Sequence, residues 1–346
     1  MVSHQPFQTP LEVVQRMGAM QAQDYYAALY AVGLRINPSV EADAKYIEKA
    51  IAKKQIVRTW PMRGTLHFVA ASDVRWMLNL LTPRVIKGSA GRYRQLELDE
   101  AVFSKARNIV EIALQGGRQL TRLDLYLLLE KEGISTSNQR GYHILGHLAQ
   151  KAIICMGPKT EKQPTFVLLD EWVPRSEGFT QEESLAALAK RYYSSHGPAT
   201  VYDLATWAGL KVSDARRGTE LILKDLEEIR HQGQAFYFEG QDEALEPFNS
   251  PEVVWILPAF DEMLCGYRNK TDLLQIENVK SIILKNGIIR PILVAENEAV
   301  GTWNWNPKKV RIKLEATLFR KLSKTQKINF RQKAKNLEMY YYPQSS

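Results

Sequence analysis

Two stretches far apart in the chain, TRLDL at 121–125 and TVYDL at 200–204, agree at threonine, aspartate and leucine. In each, Thr followed three residues later by Asp has the spacing of a capping box, in which hydroxyl and carboxylate satisfy orphan backbone N–H groups at a helix start. Thr9 and Glu12 repeat that spacing, with Pro10 at the first helical position. Each later box opens the middle member of a helical trio. The first trio spans 99–115, 121–133 and 138–151, and IICMGPKTEKQPTFVLLDEWV then reads as strand, polar loop, strand. The second is QEESLAALAKRYYSSHG, the segment from Thr200 to the terminating Gly209, and DARRGTELILKDLEEI, followed by the strand AFYFEG. At the N-terminus, helices from Thr9, from Asp24 and over 43–53 precede QIVRTWPMRGTLHFV, two short strands around a connection at 61–64. Punctuation of this kind constrains the chain to helix-turn-helix units that end in a wing.

The expected fold class is therefore α+β. Three tandem winged-helix units cover 1–95, 96–176 and 177–245, and a C-terminal β-rich α+β domain covers 246–346. In the last domain, VVWILPAF and IIRPILVAENEAVGTWNW alternate like strands, with a hairpin tip at 296–298, before a final helix over 317–340.

Among 346 residues, 46 Lys+Arg against 38 Asp+Glu leave a formal charge of +8, which favours an anionic partner, nucleic acid first. Apolar runs such as LDLYLLLE fall well short of the roughly 20 residues of a membrane span, so no membrane is expected. MVSHQPFQTP lacks a basic region followed by an apolar core, so no secretion signal is expected. Cys155 and Cys265 form no disulfide framework and suit a reducing cytoplasm. P-loop, dinucleotide and G-x-S-x-G signatures are absent.

MQAQDYY at 20–26 raises the sharpest question. Leu11, Val14, Met17 and Met20 keep a helical period, and Asp24 caps the next helix. Residues two apart do not share a helix face, so Gln21 and Gln23 converge only if they occupy a junction between helices.

These residues also carry a resemblance. Gln21-Ala22-Gln23-Asp24, the segment Met62 to His67, the cap Ser72-Asp73, Leu257 to Glu262 with Gly266-Tyr267-Arg268, and Gly301-Thr302-Trp303 together resemble the winged-helix AlkZ-like DNA glycosylases. The resemblance spans nearly the whole chain. It implies a C-shaped arrangement with a concave, duplex-sized cleft, and a monofunctional enzyme that excises alkylated purines, interstrand crosslinks among the possible substrates. It also implies double-stranded DNA as partner and no cofactor or metal; a monomer is expected. The family signature, Gln, an apolar residue, then Gln or Asp, falls on Gln21, Ala22 and Gln23.

Glutamine suits such a reaction. A carboxamide cannot act as a charged base but can hold a water. A purine alkylated at N7 or N3 already carries positive charge and leaves neutral, so positioning the water becomes the main task. The alternative is a DNA-binding protein without catalysis, with paired glutamines that satisfy backbone groups at a helix end.

Other candidates keep two readings. Arg63 reaches phosphate or pairs within the protein; His67 contacts DNA or fills a half-buried strand site. Lys159 and Lys162 form a wing tip on the DNA backbone or an ordinary solvated loop. Arg140, Arg216 and Arg217 lie on third helices, where winged units touch DNA. His143 and His147 have zinc spacing without a third ligand, or pack as a pair. Asp261-Glu262 is a paired-carboxylate site or a turn cap. The basic final helix is a DNA-facing stripe or a solvated face over Phe319, Leu322 and Phe330.

Overall fold

A computed structural model describes residues 6–160, 163–175, 178–240, 250–304 and 314–342. The first unit runs α1 (Pro10–Met17), β1 (Ala19–Gln21), α2 (Tyr25–Gly33), α3 (Ala44–Ala52), β2 (Ile56–Met62) and β3 (Thr65–Ala70), and α4 (Val74–Gly88) and α5 (Ala90–Gln95) follow. The second runs α6 (Glu100–Leu114), β4 (Leu120–Thr121), α7 (Arg122–Lys131), α8 (Arg140–Gln150), β5 (Ile154–Thr160), β6 (Gln163–Leu168) and the short α9 (Leu169–Trp172). The third comprises α10 (Gln181–His196), α11 (Val201–Ala208), α12 (Val212–Leu221), β7 (Glu227–His231) and β8 (Gln234–Phe238). The chain closes with β9 (Trp255–Leu257), α13 (Glu262–Cys265), α14 (Val279–Ile282), β10 (Ile292–Ala295), β11 (Glu298–Asn304), β12 (Glu315–Leu318) and α15 (Lys324–Tyr341). Three helices followed by a hairpin thus recur three times in a mixed helix and strand architecture.

The capping boxes at Thr9, Thr121 and Thr200 form with both reciprocal hydrogen bonds. Asp73 does not cap α4 through its side chain; its carboxylate instead accepts from the Trp76 indole N–H and meets Arg191. The first helix is shorter than its apolar period suggests. It stops at Met17, where Gly18 takes φ +74, and Met20 enters a strand. Only glycine turns the chain this way at little cost. The last helix begins at Lys324, capped by Ser323 and Gln326, because residues 315–318 pair with β11.

The first two hairpins merge into one six-stranded sheet of order β1-β3-β2-β5-β6-β4, joined through Arg58 opposite Met156. The third hairpin, β7–β8, forms a separate two-stranded sheet. Strand β2 is buried at every position. Ile56, Phe68 and Ala70 belong to one core with side chains of α1–α3, whereas Val57 and Val69 belong to a second with side chains of α4, α10 and α11. A strand covered on both faces reads as a continuous apolar run, which IVRTWPM nearly is. The C-terminal sheet, β12-β11-β10-β9, is antiparallel. Glu296 and Asn297, both at positive φ, make the two-residue turn between β10 and β11.

Arg35, just past the end of α2, and Asp261 form a bidentate ion pair, 3.0 and 2.9 Å, that is almost wholly buried. It ties the first unit to the C-terminal domain.

Candidate active site

Gln21 ends β1 directly opposite His67 on β3. The chain stays extended for one more pairing, Ala22 N–H to Leu66 O at 2.7 Å. Gln21 is half-buried in the strand, Ala22 is buried at 0% exposure, and Gln23 follows in an exposed bend. The pair thus straddles the end of a strand and the bend that follows it, not a junction between two helices. Asp24 then caps α2 by accepting from Ala27 N–H.

Charged groups hold this segment from beneath. Glu262 is 1% exposed, and its Oε1 accepts the Gln21 backbone N–H at 2.9 Å. Its Oε2 accepts the Trp207 indole N–H at 3.0 Å and lies 3.5 Å from His196 Nε2. Burial alone would raise the Glu262 pKa, but His196, the Gln21 N–H and Arg63 outweigh it and hold the carboxyl down at about 2. Glu262 is therefore a buried carboxylate, and three parts of the chain converge on it. On the other side of the segment, the Arg58 guanidinium donates to Ala22 O at 3.0 and 2.7 Å and to Gln23 O at 3.4 Å. Burial pulls its pKa down to about 10 and leaves it cationic at neutral pH.

The side chains are aimed as well. Arg63, at φ +54 in the β2–β3 turn, donates to Trp207 O, to His67 Nε2 at 3.2 Å and to Gln21 Oε1 at 3.5 Å. His67 donates from Nδ1 to Thr65 O at 2.9 Å, and burial pushes its pKa down to about 3. Gln23 Oε1 accepts Leu66 N–H at 3.3 Å. Each amide oxygen thus has one protein donor and a second lone pair to spare. The glutamines are not placed alike: Gln23 borders a crevice of about 210 Å³ between the first and second units, whereas Gln21 is not among the residues that line it.

The other sequence candidates separate. His67 is 0% exposed, so as placed it orients Arg63 and offers DNA no surface. Arg63 is committed to the protein. Arg140 is engaged by Ser135 O, Leu96 O and Glu97 O, which it holds together at the end of α8. Lys159 lies over the rings of Tyr25 and Tyr26, at 3.7 and 4.0 Å, and burial lowers its pKa to about 8. Lys162 lies outside the described residues. Arg217 pairs with Glu182 at the surface, and Arg216 is exposed. His147 stacks on Phe103 at 3.8 Å, with His143 edge-on to Tyr93. Among the described residues no cluster of three or more metal-ligating side chains occurs. No described helix is long and apolar enough to cross a membrane. Lys333 of the basic final helix turns inward over Trp255 at 3.8 Å, while Lys324, Lys327, Arg331 and Lys335 are exposed.

Glu262 and Arg58 escape a sequence reading. Asp261-Glu262 resembles a turn cap, and Asp261 is indeed the N-cap of α13. The one local hint at Arg58 is an arginine in an otherwise apolar strand.

A family model described as DNA glycosylase AlkZ-like matches residues 14–340. The chain belongs to the AlkZ-like DNA glycosylase family. A similar curated protein is an interstrand DNA cross-link repair glycosylase from Streptomyces sahachiroi, 26% identical over 309 residues, covering 84% of this chain and 81% of that one. Among solved structures, Streptomyces sahachiroi DNA glycosylase AlkZ superposes with a TM-score of 0.78 at 22% identity, covering 96% of this chain and 91% of that one. That likeness establishes the shared fold. Within this AlkZ-like chain, Gln21 stands on the edge strand of the six-stranded sheet and Gln23 just beyond it, with their backbone held by Glu262 and Arg58.

Proposed function

We propose that this chain is a monofunctional DNA glycosylase that hydrolyses the N-glycosidic bond of N7- or N3-alkylated purines in duplex DNA, crosslinked purines included. The cleaving water is held by Gln21 and Gln23. One observation carries the reading: the backbone that bears the two amides is fixed by Glu262 at Gln21 and by Arg58 at Ala22 and Gln23. Pre-fixed groups that need not reorganise as the reaction proceeds are what a positioned-water mechanism requires. The second lone pair of each Oε1 accepts from the water, and the buried Glu262 carboxylate adds negative potential beneath the site, favouring the cationic sugar of the transition state. Protonation of the base by a general acid is not needed, because the alkylated purine departs neutral, and the water that bonds to C1′ gives up its proton to solvent. The overall positive charge suits a duplex partner, and the crosslink repair named for the Streptomyces relative supports including bulky adducts in the proposed substrate range. The protein acts as a cytoplasmic monomer in this scheme.

The test is excision from defined N3- and N7-alkylpurine duplexes, resolved after alkaline cleavage, for wild type, Gln21→Ala and Gln23→Ala. Loss of excision with duplex affinity retained is the expected result. Duplex binding without excision by wild type would leave a DNA-binding protein, and full activity in both variants would remove the glutamines from the chemistry.

A further inference from the structure

Lys159, near the tip of the β5–β6 hairpin, holds its charge in an unusual place. Its ammonium stands 3.7 Å from the centre of the Tyr25 ring and 4.0 Å from that of Tyr26, and no carboxylate or hydrogen-bond acceptor meets it among the described residues. The two rings lie edge to face, 5.7 Å apart at 81°, and make two walls of a cage for a positive charge. Burial outweighs Glu48 and Asp24 and lowers the ammonium's pKa to about 8, so the charge is held less well there than in water. The Tyr25 hydroxyl donates to Glu48 Oε1 at 3.2 Å, and Tyr26 is 39% exposed. This cage adjoins the glutamines. Tyr25 and Tyr26 directly follow Gln23 and Asp24, and the Arg58 guanidinium that holds Gln23 O also lies over the Tyr25 ring at 5.3 Å. Undamaged bases are neutral, whereas purines alkylated at N7 or N3 carry positive charge, and both of those atoms lie on an edge that faces a groove of the duplex.

We propose that the Tyr25–Tyr26 cage recognises the positive charge of the alkylated purine, with Lys159 occupying it in the free protein and yielding it to the N-alkyl edge of the lesion. This rests on the glycosylase reading and names the residues of the same site that tell damaged from undamaged bases. One cation replaces another, so the cost of a positive charge beside Arg58 is already met in the free protein. The edge is met in the groove, so the base keeps its place in the stack, and a cage with two walls is open to a linker. Monoadducts and crosslinks are thus recognised alike. Charge passes from purine to sugar as the glycosidic bond breaks, so the contact is strongest in the bound ground state. The cage therefore lowers KM and does not raise kcat.

The test compares affinity for two cleavage-resistant duplexes. One carries N7-methylguanine on a 2′-fluoro sugar and is cationic at the base; the other carries 7-methyl-7-deazaguanine, its neutral isostere. Wild type should prefer the cation by about five- to thirtyfold, the worth of a cation–π contact. Tyr26→Leu, at a position already 39% exposed, should bring that ratio near one, and Tyr26→Phe should keep it, while the neutral duplex binds all three proteins alike. Lys159→Gln should widen the ratio, since no cation has to leave. On an excisable N7-methylguanine duplex, Tyr26→Leu should raise KM and keep kcat. A wild-type ratio near one overturns the cage, as does a ratio that Tyr26→Leu leaves intact or that Lys159→Gln narrows. Excision by a wild type that shows no preference leaves the glycosylase standing without the cage. Preference for the cation without excision keeps the recognition and removes the glycosylase.

Discussion

Replacing Glu262 by glutamine keeps an oxygen acceptor and removes the charge. In the wild type the carboxylate titrates at about 2 against an ordinary 4.5. A carboxyl whose folded pKa is depressed contributes stability that is fully present above the unfolded value and lost as pH falls through the folded one. The window is therefore pH 4.5 down to about 2, and the gap corresponds to about 3 kcal/mol. Glu262→Gln should lack that part of the pH dependence while losing a similar amount of stability at pH 7. Glu262→Ala should lose about 3–5 kcal/mol, since the N–H groups of Gln21 and Trp207 are left without acceptors. Urea unfolding at a series of pH values, followed by tryptophan fluorescence, gives both quantities. Identical pH slopes for wild type and Glu262→Gln below pH 4.5 would refute the ionised-carboxylate account of the clamp.

His67, held neutral by burial with a pKa of about 3, contributes stability that is lost as pH falls from its ordinary 6.5 toward 3. His67→Gln should flatten the unfolding free energy over that window, as measured by the same titration. Breaking the buried pair with Arg35→Met alone should cost about 3–5 kcal/mol, and Arg35→Met with Asp261→Leu should recover part of it, checked by denaturant midpoints. Arg58→Met removes the charged donors to Ala22 O and Gln23 O, each worth about 1.5–3 kcal/mol. Excision should fall at least tenfold while undamaged-duplex affinity, measured by anisotropy, changes little.

Local signals determined much of this protein. Thr9, Thr121 and Thr200 announce their helices because a capping box is closed within four residues, and the β2–β3 and β10–β11 hairpins are written in their turn residues. The start of α2 at Asp24 is legible for the same reason. That Gln21 lies in a strand is not, because β1 exists only through its pairing with β3 more than forty residues on. Tertiary structure alone decided the rest. Glu262 reaches Gln21 across 241 positions, two separate hairpins share one sheet, and His67 and Arg63 turn from prospective DNA contacts into supports. Burial and long-range partners set the charge state and direction of such side chains, and neither quantity is encoded in the residues next to them.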